Sequence, residues 1–239
     1  MKLLDLSLPT PAENLALDEA ILEQAEVGTG PGELLRLWEM PQPCVVLGRS
    51  SRAASEVNLA NCREKGIPVL RRCSGGAAIV AGPGCFMYSV VLSYRERPGL
   101  RVLERAHQFV LGVVAQALAT IVPGVEMLGT SDLTLEQRKI SGNSLRCRRN
   151  HLLYHGTILY AFPLHAIVEY LGLAPRQPDY RQQRDHRDFV VNFGASRQQL
   201  HKALCDAWSA SETIKVWPEQ LVHQLVRERY SQDSWNLRL

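Results

Sequence analysis

The chain of 239 residues contains no uncharged apolar run long enough to span a membrane. Nor does it open on an apolar segment of signal-peptide length, since Met1-Lys2-Leu3-Leu4 runs straight into Asp5 and then prolines. Together these absences predict a cytoplasmic protein without membrane partners. Cysteine is present six times, as Cys44, Cys62, Cys73, Cys85, Cys147 and Cys205, but never as C-x-x-C and never in a Cys/His cluster at zinc-ligand spacing. Free thiols in a reducing compartment are the expectation. A formal net charge of only +3 argues against nucleic acid as a main partner and suits an acidic protein or an anionic ligand. Neither G-x-x-x-x-G-K-[ST] nor G-x-G-x-x-G occurs, so the two common nucleotide fingerprints are excluded. Internal repeats, low-complexity runs and linkers are also missing, which predicts one domain over 1–239.

What remains is ordinary for a folded protein, with a hydrophobic share of 46% and a charged share of 21%. Residues 13–26 carry Leu15, Leu17, Ala20, Ile21 and Leu22 at helical spacing, with Asp18 and Glu19 expected to face outward. Short strands are expected at 34–38, 44–48 and 67–72, and a short helix at 58–65. The strongest helical pattern is 103–120, whose broad apolar stripe should lie on a sheet. Pro123-Gly124 stops it before a strand at 125–128 and a turn at 129–132. Further helices are expected at 164–171, 196–209 and 218–230, and a long loop of mixed charge at 174–188, either simply solvated or covering a site. Strands and helices that do not alternate regularly favour an α+β fold, a mixed and largely antiparallel sheet packed by helices, over a doubly wound one.

Two stretches carry chemistry. In Val69-Leu70-Arg71-Arg72-Cys73-Ser74-Gly75-Gly76-Ala77, an apolar strand is interrupted by two arginines and paired glycines. Such a loop can form a cradle where amides and guanidinium forks meet phosphate or carboxylate oxygens, or it can be a tight hairpin with surface arginines. In Gln137 to Tyr160, Lys139 precedes a polar turn, Ser141-Gly142-Asn143-Ser144, able to approach an oxyanion. After a basic loop the chain resumes as a buried strand interrupted by His155-Gly156-Thr157, and a glycine there marks a close approach to the backbone. The plainer alternative is a hairpin whose lysine snorkels to water.

RRCSGGAAIV, then RKISGNS, then HGTIL resembles the catalytic domain shared by lipoate-protein ligases, octanoyltransferases and biotin-protein ligases. Among these it is most similar to the lipoate-protein ligase branch, over nearly the whole chain. The resemblance implies the biotin-ligase-like, class II synthetase type of catalytic domain, without the small C-terminal domain that many ligases carry. It implies an enzyme that activates lipoate or octanoate with ATP and magnesium, and passes the acyl group to a lysine of a lipoyl carrier domain. That carrier would be of the glycine cleavage H protein or dehydrogenase E2 type. Either a separate accessory subunit would supply that domain, or the reaction would be narrower, such as transfer from a ready-made adenylate.

By the same resemblance Arg71, Arg72, Ser74, Gly75, Gly76 and Ala77 line the acyl-adenylate pocket, with Lys139, Ser141, Gly142 and Ser144 on its phosphate side. His155, Gly156 and Thr157 form its wall, Gly156 leaving room for the acyl chain and His155 ordering the strand. A buried lysine suits the reaction, because charge builds on the α-phosphate as the carboxylate attacks and a rotatable ammonium can stabilise it. Asp132 is the candidate for magnesium or nucleotide, with a turn-capping role as the alternative. The chain departs from the ligases at Ala77, where they carry a third glycine, and at Ala81-Gly82 and Gly84-Cys85, where they carry His-Asp and Gly-Asn. One alternative function is acyl transfer from acyl carrier protein or from a preformed adenylate. The thioester form of it needs a cysteine nucleophile, and only Cys147 and Cys85 remain for that role, both at unfamiliar positions. The glycine-rich arginine loop of biotin ligases is not seen. A second alternative is a non-catalytic module that binds a lipoyl domain.

Overall fold

The structure, a computed structural model, describes residues 1–173 and 177–239. In chain order its first half runs β1 (Lys2–Asp5), α1 (Pro11–Glu26), β2 (Leu34–Glu39), β3 (Cys44–Leu47), α2 (Ala53–Glu56), α3 (Leu59–Glu64), β4 (Val69–Arg71), β5 (Ile79–Ala81), β6 (Cys85–Ser93) and α4 (Leu103–Ala119). The second half runs β7 (Val125–Leu128), β8 (Asp132–Leu135), β9 (Arg138–Cys147), β10 (His151–Leu159), α5 (His165–Tyr170), α6 (His186–Phe189), α7 (Arg197–Ala207), β11 (Glu212–Thr213), α8 (Glu219–Leu225) and α9 (Asp233–Asn236).

Eight strands form one sheet in the order β11-β1-β2-β6-β10-β9-β8-β7, and β4-β3-β5 form a smaller one. Only β1 with β11, β1 with β2, and β3 with β4 pair parallel, so the fold is α+β with a largely antiparallel sheet. Strand alternation sorts the core into two layers. In β6, Phe86, Tyr88, Val90 and Leu92 point toward α4 and α7, while Cys85, Met87 and Val91 point toward α1 and the small sheet. Of the stripe expected on α4, Ala106, Val110, Val114, Ala117 and Leu118 are buried against the sheet and Phe109 and Val113 are partly buried, while Leu103 at its start is exposed. None of the helices among the described residues is long and apolar enough to cross a membrane.

Helix α1 corrects one expectation. Thr10 and Glu13 close a capping box and Pro11 presets its first turn, but Asp18 and Glu19 do not face water. They are 1% and 4% exposed, because α1 lies between the large sheet and α8 and is covered on nearly every side. A burial this complete needs partners for both carboxylates. Arg36 and Ser89 supply them for Asp18, and Arg229 and Tyr230 for Glu19.

A second correction concerns 141–144, which is the middle of β9 rather than a turn. Asp132 likewise begins β8 instead of sitting in the turn. Register pairs Ser144 with His155 on one side, and Gly142 with Asp132 on the other. The turn of this hairpin falls at 148–150, after Arg146 has already paired with Leu153. Between Leu133 and Thr134 the β8–β9 register slips by one residue, leaving Ile140 as the extra residue of a bulge. Beyond Gly156 and Asn143, β9 and β10 part. The chain after α6 fills the wedge, where Val191 donates to the Lys139 carbonyl at 3.0 Å and Phe193 to the Leu159 carbonyl at 2.6 Å. The expected loop at 174–188 therefore contains a turn of 3-10 helix at Asp179–Arg181 and α6. Arg176 of that loop lies outside the described residues.

Candidate functional site

Where β9 and β10 part, a cavity of about 360 Å³ opens, lined by Arg72 and Gly76 on one side and Lys139 on the other. Its apolar wall comes from Leu15, Trp38, Val46 and Met87. A second hollow of about 150 Å³ shares Lys139, Asp132 and Gly142 with the first and runs on to Phe189, Val190 and Arg181. The two stretches singled out in the sequence thus converge on one cleft with two arms, and Lys139 stands at the junction. Gly76, Ala77, Gly142, Ser144, His155, Gly156 and Thr157 line the first arm, and Ser141 lines the second.

The lysine is held by its neighbours. Its ammonium lies 2.7 Å from Asp132 Oδ1, while Tyr180 donates to Asp132 Oδ2 at 2.7 Å. A side chain on Gly142 would stand 2.9 Å from the lysine Cε and Nζ, so the bare glycine lets the stem fold across the strand. Thr157 Oγ1 bonds the Gly142 amide at 3.3 Å and keeps the separating strands in step. At 27% side-chain exposure the ammonium keeps contact with the cleft.

The arginines do something other than expected. Arg72, 7% exposed, points its guanidinium into its own loop, donating to the carbonyls of Val46, Gly75 and Ala77 and to Ser74 Oγ. It fixes the shape of the loop, and its donors are already engaged before any anion arrives. Burial depresses its pKa to about 10, and no carboxylate lies within ion-pairing distance among the described residues. The cleft therefore carries a cationic wall beyond the Lys139–Asp132 pair. Arg71 turns away altogether, reaching the carbonyls of Gly48, Ser51, Trp235 and Asn236, and lines neither arm. Neither arginine is the surface residue of a simple hairpin.

Gly48 was missed by sequence reasoning, and it explains the loop's position. A Cβ at 48 would lie 1.8 Å from the Gly76 carbonyl oxygen, so the loop rests directly on β3's end. Gly76 itself has φ +87°. Ser144 Oγ donates to the Gly75 carbonyl at 2.9 Å, tying the loop to β9. Ser74, 1% exposed, is buried behind the cavity wall, whereas Gly75 is exposed and lines neither arm.

Gly156 also differs from expectation. The place of its side chain is taken by Asn143 Oδ1, 1.7 Å from a built Cβ, and by the Tyr88 ring at 2.8 Å, not by an acyl chain. Asn143, expected in a turn facing an oxyanion, instead accepts from Tyr88 and donates to Ser131 O at 2.9 Å, which fastens the 129–131 turn over the cleft. Gly156→Ala is expected to lower the melting temperature by several degrees, since overpacking costs about 1–3 kcal/mol and each kcal/mol shifts a domain of this size by about 2–4 °C. Calorimetry checks it, and an unchanged transition would contradict the packing described.

The candidate nucleophiles lie elsewhere. Cys85 is fully buried opposite Leu159, and burial drives its thiol far above the ordinary range. Cys147 ends β9 at the far side of the hairpin, opposite Leu152 and beside Tyr94. Ala81 is buried in the small sheet opposite Cys44, Gly82 packs on Pro43, and Gly84 on Ala161. The departures at 81–85 thus lie off the cleft. No cluster of three acidic, His or Cys side chains able to hold a metal exists among the described residues. Asp132, with both oxygens engaged, is the one carboxylate lining both arms among the described residues.

Comparison with known proteins matches residues 10–204 to the family described as Lipoyl protein ligase A/B catalytic domain. The chain belongs to that family. The lipoate-protein ligase LplJ of Bacillus subtilis is 25% identical over 95% of this chain and 70% of its own. The octanoyltransferase LipM of Brevibacillus brevis is 23% identical over 96% and 95%. A bi-partite lipoate protein ligase from Thermoplasma acidophilum, solved in a study of that ligase and its E2 lipoyl domain, superposes with a TM-score of 0.83. It shares 24% identity over 99% of this chain and 95% of its own. A lipoate-protein ligase A solved with ATP bound gives 0.77 at 25% identity, over 99% and 98%. This lipoyl protein ligase A/B family member is accordingly an enzyme of the lipoate ligase and octanoyltransferase class.

Proposed function

We propose that this enzyme condenses lipoate or octanoate with ATP to an acyl-adenylate and transfers the acyl group to a lysine of a lipoyl carrier domain. The observation that carries the reading is the two-armed cleft with Lys139 at its junction. A greasy acid fits along Leu15, Trp38, Val46 and Met87, and a flat base beside Phe189 and Val190, so the reacting carboxyl and α-phosphate meet at the ammonium.

In the first step a carboxylate oxygen attacks the α-phosphorus and pyrophosphate leaves. Lys139 stabilises the charge that builds on the phosphate oxygens, inside a site where water is largely displaced and such interactions strengthen. In the second step the carrier's amine attacks the acyl carbonyl, AMP leaves, and the amine's proton departs to solvent. The same ammonium polarises the carbonyl. Arg72 contributes as a fixed positive wall, with Gly75 and Gly76 held against Gly48 to shape the acid's end of the cleft. Magnesium carried by the nucleotide would take Asp132 as its protein carboxylate and offset phosphate charge.

The octanoyltransferase relative favours a second reading, acyl transfer without ATP. Its thioester form requires an activated thiol at the cleft, and the positions of Cys85 and Cys147 speak against it. Incubating the enzyme with lipoate, ATP, magnesium and an apo lipoyl domain, read by intact mass, tests the proposal. The expected result is the lipoyl mass gain on the carrier. Gain only from preformed lipoyl-adenylate would instead mark a transferase that relies on a separate accessory chain for activation. Gain from octanoyl acyl carrier protein would mark the thioester route, and no gain from any donor would mark a binding module. Cys85→Ala and Cys147→Ser are expected to keep turnover within about twofold, because neither thiol reaches the reacting atoms. A large loss in either would contradict the adenylate route.

A further inference from the structure

Behind the cavity wall a buried chain of side chains links α1 to the substrate loop. Asp18 Oδ1 accepts from Arg36 Nη1 at 2.7 Å, and Oδ2 accepts from Ser89 Oγ at 2.7 Å. His155 Nδ1 lies 3.0 Å from the same Oδ2, and its Nε2 lies 2.5 Å from Ser74 Oγ. Ser74 Oγ in turn accepts from Arg72 Nε at 3.1 Å. Asp18, Arg36, Ser74 and His155 are all under 9% exposed.

We propose that Asp18 is a positioning residue for the substrate loop, acting through His155 on the Ser74 hydroxyl; this deepens the proposed function and rests on it for the identity of the ligand. Proton accounting fixes the direction of the chain. A carboxylate can only accept, so Nδ1 donates to Asp18. Arg72 can only donate, so with a neutral imidazole that carries its proton on Nδ1 the Ser74 hydroxyl donates to His155 Nε2. Every donor then has an acceptor, and both imidazole nitrogens are engaged within the wall. His155 shows the cleft a carbon edge and serves neither as a base nor as an anion donor.

Although Asp, His and Ser stand in the order of a nucleophilic triad, Ser74 does not line the cleft and its lone pair receives the Arg72 proton. The chain instead anchors one end of the glycine loop. The Ser74 carbonyl accepts from the Arg49 amide at 2.7 Å, and at the loop's other end the Ala78 amide donates to Glu56 at 2.7 Å. Gly75 and Gly76, free to move as residues, are thereby stretched between two fixed posts. The carboxylate of Asp18 supports the arrangement, since burial alone would neutralise it while Arg36, His155 and Ser89 together hold its pKa below the usual value.

The experiment uses the full chain labelled with 15N-histidine, with the His155 resonances identified by their loss in His155→Gln. The proposal expects a ligand-free His155 whose neutral form carries its proton on Nδ1, with Nε2 acting as an acceptor. In Ser74→Ala, Nε2 should move toward a free acceptor nitrogen, while lipoate binding by calorimetry weakens about 10- to 100-fold. In the same variant the loss should fall mainly on the KM for lipoate rather than on kcat. A neutral His155 protonated on Nε2 would overturn the relay. So would Ser74→Ala binding lipoate as tightly as the parent, or an acyl adduct on Ser74 by mass. If the parent fails to bind lipoate at all, the functional reading falls, and the tautomer of His155 still decides the relay on its own.

Discussion

Lys139→Ala is expected to lower the rate of carrier acylation by about 100- to 1,000-fold or more, the range found when one donor to a developing oxyanion is removed. The loss should fall on kcat, because the acid is held mainly by the apolar arm and the loop, and little by the ammonium before charge develops. Stability should change modestly. The pair with Asp132 is partly exposed at 27% and 12%, and Tyr180 still satisfies one carboxylate oxygen after the lysine is gone. Lys139→Arg is a stringent control, since a planar fork keeps the charge but cannot swing between phosphate and carbonyl from a position folded over Gly142. It should recover only a small part of the rate. Turnover in Lys139→Ala within tenfold of the parent would remove the lysine from the chemistry.

Gly48→Ala is expected to have the second largest effect, although residue 48 touches no ligand. Its Cβ would meet the Gly76 carbonyl oxygen at 1.8 Å and the Gly75 carbonyl oxygen at 3.1 Å, both backbone atoms that cannot rotate away. The loop must lift by more than an ångström, pulling against Ser51 on Gly76 and Ser144 on Gly75. A displacement of that size near a reacting centre costs about 100-fold, and here it should be read mainly as a raised KM for the acid. The accompanying strain is about 1–3 kcal/mol. Gly112→Ala in α4, where nothing lies within 4 Å of a built Cβ, is the matched control and should be neutral or stabilising by about 0.5–1 kcal/mol. Steady-state kinetics and a thermal melt on both variants separate a displaced loop from general damage.

The long periodic elements were readable from the sequence. Helix α4 and strands β7 and β10 lie within a residue or two of the apolar patterns that announced them, because burial on one face is what periodicity records. Strand β1, four residues long, carries too little pattern to stand out, and it becomes a strand through parallel pairing with β2. The polar run 141–144 misled for a physical reason. Small polar residues signal turns when they are solvated, but in β9 they floor a cleft between two strands, where bulk would fill it.

The convergence of Arg72 and Lys139 was legible only through the family resemblance, since nothing in either stretch encodes the fold that joins them. Direction was not legible at all. Two adjacent arginines must diverge along an extended backbone, and which one faces the cleft depends on the C-terminal residues Trp235 and Asn236 that capture Arg71. Asp18 offered a signal that was misread. A carboxylate flanked by Leu17 and Ala20 in a helix apolar on most sides is better explained by a buried partner than by solvent, and Arg36 in the apolar run Leu34 to Trp38 was the matching charge.

The central claim is that a single cleft brings an acid and a nucleotide together at Lys139. A crystal structure of the enzyme soaked with lipoate, ATP and magnesium tests it most directly. The account predicts density for the acyl chain along Leu15, Trp38, Val46 and Met87, with the phosphate at the Lys139 ammonium and the base beside Phe189. Ligand bound elsewhere, or a nucleotide whose phosphates lie away from Lys139 while the acid fills the cleft, would contradict it.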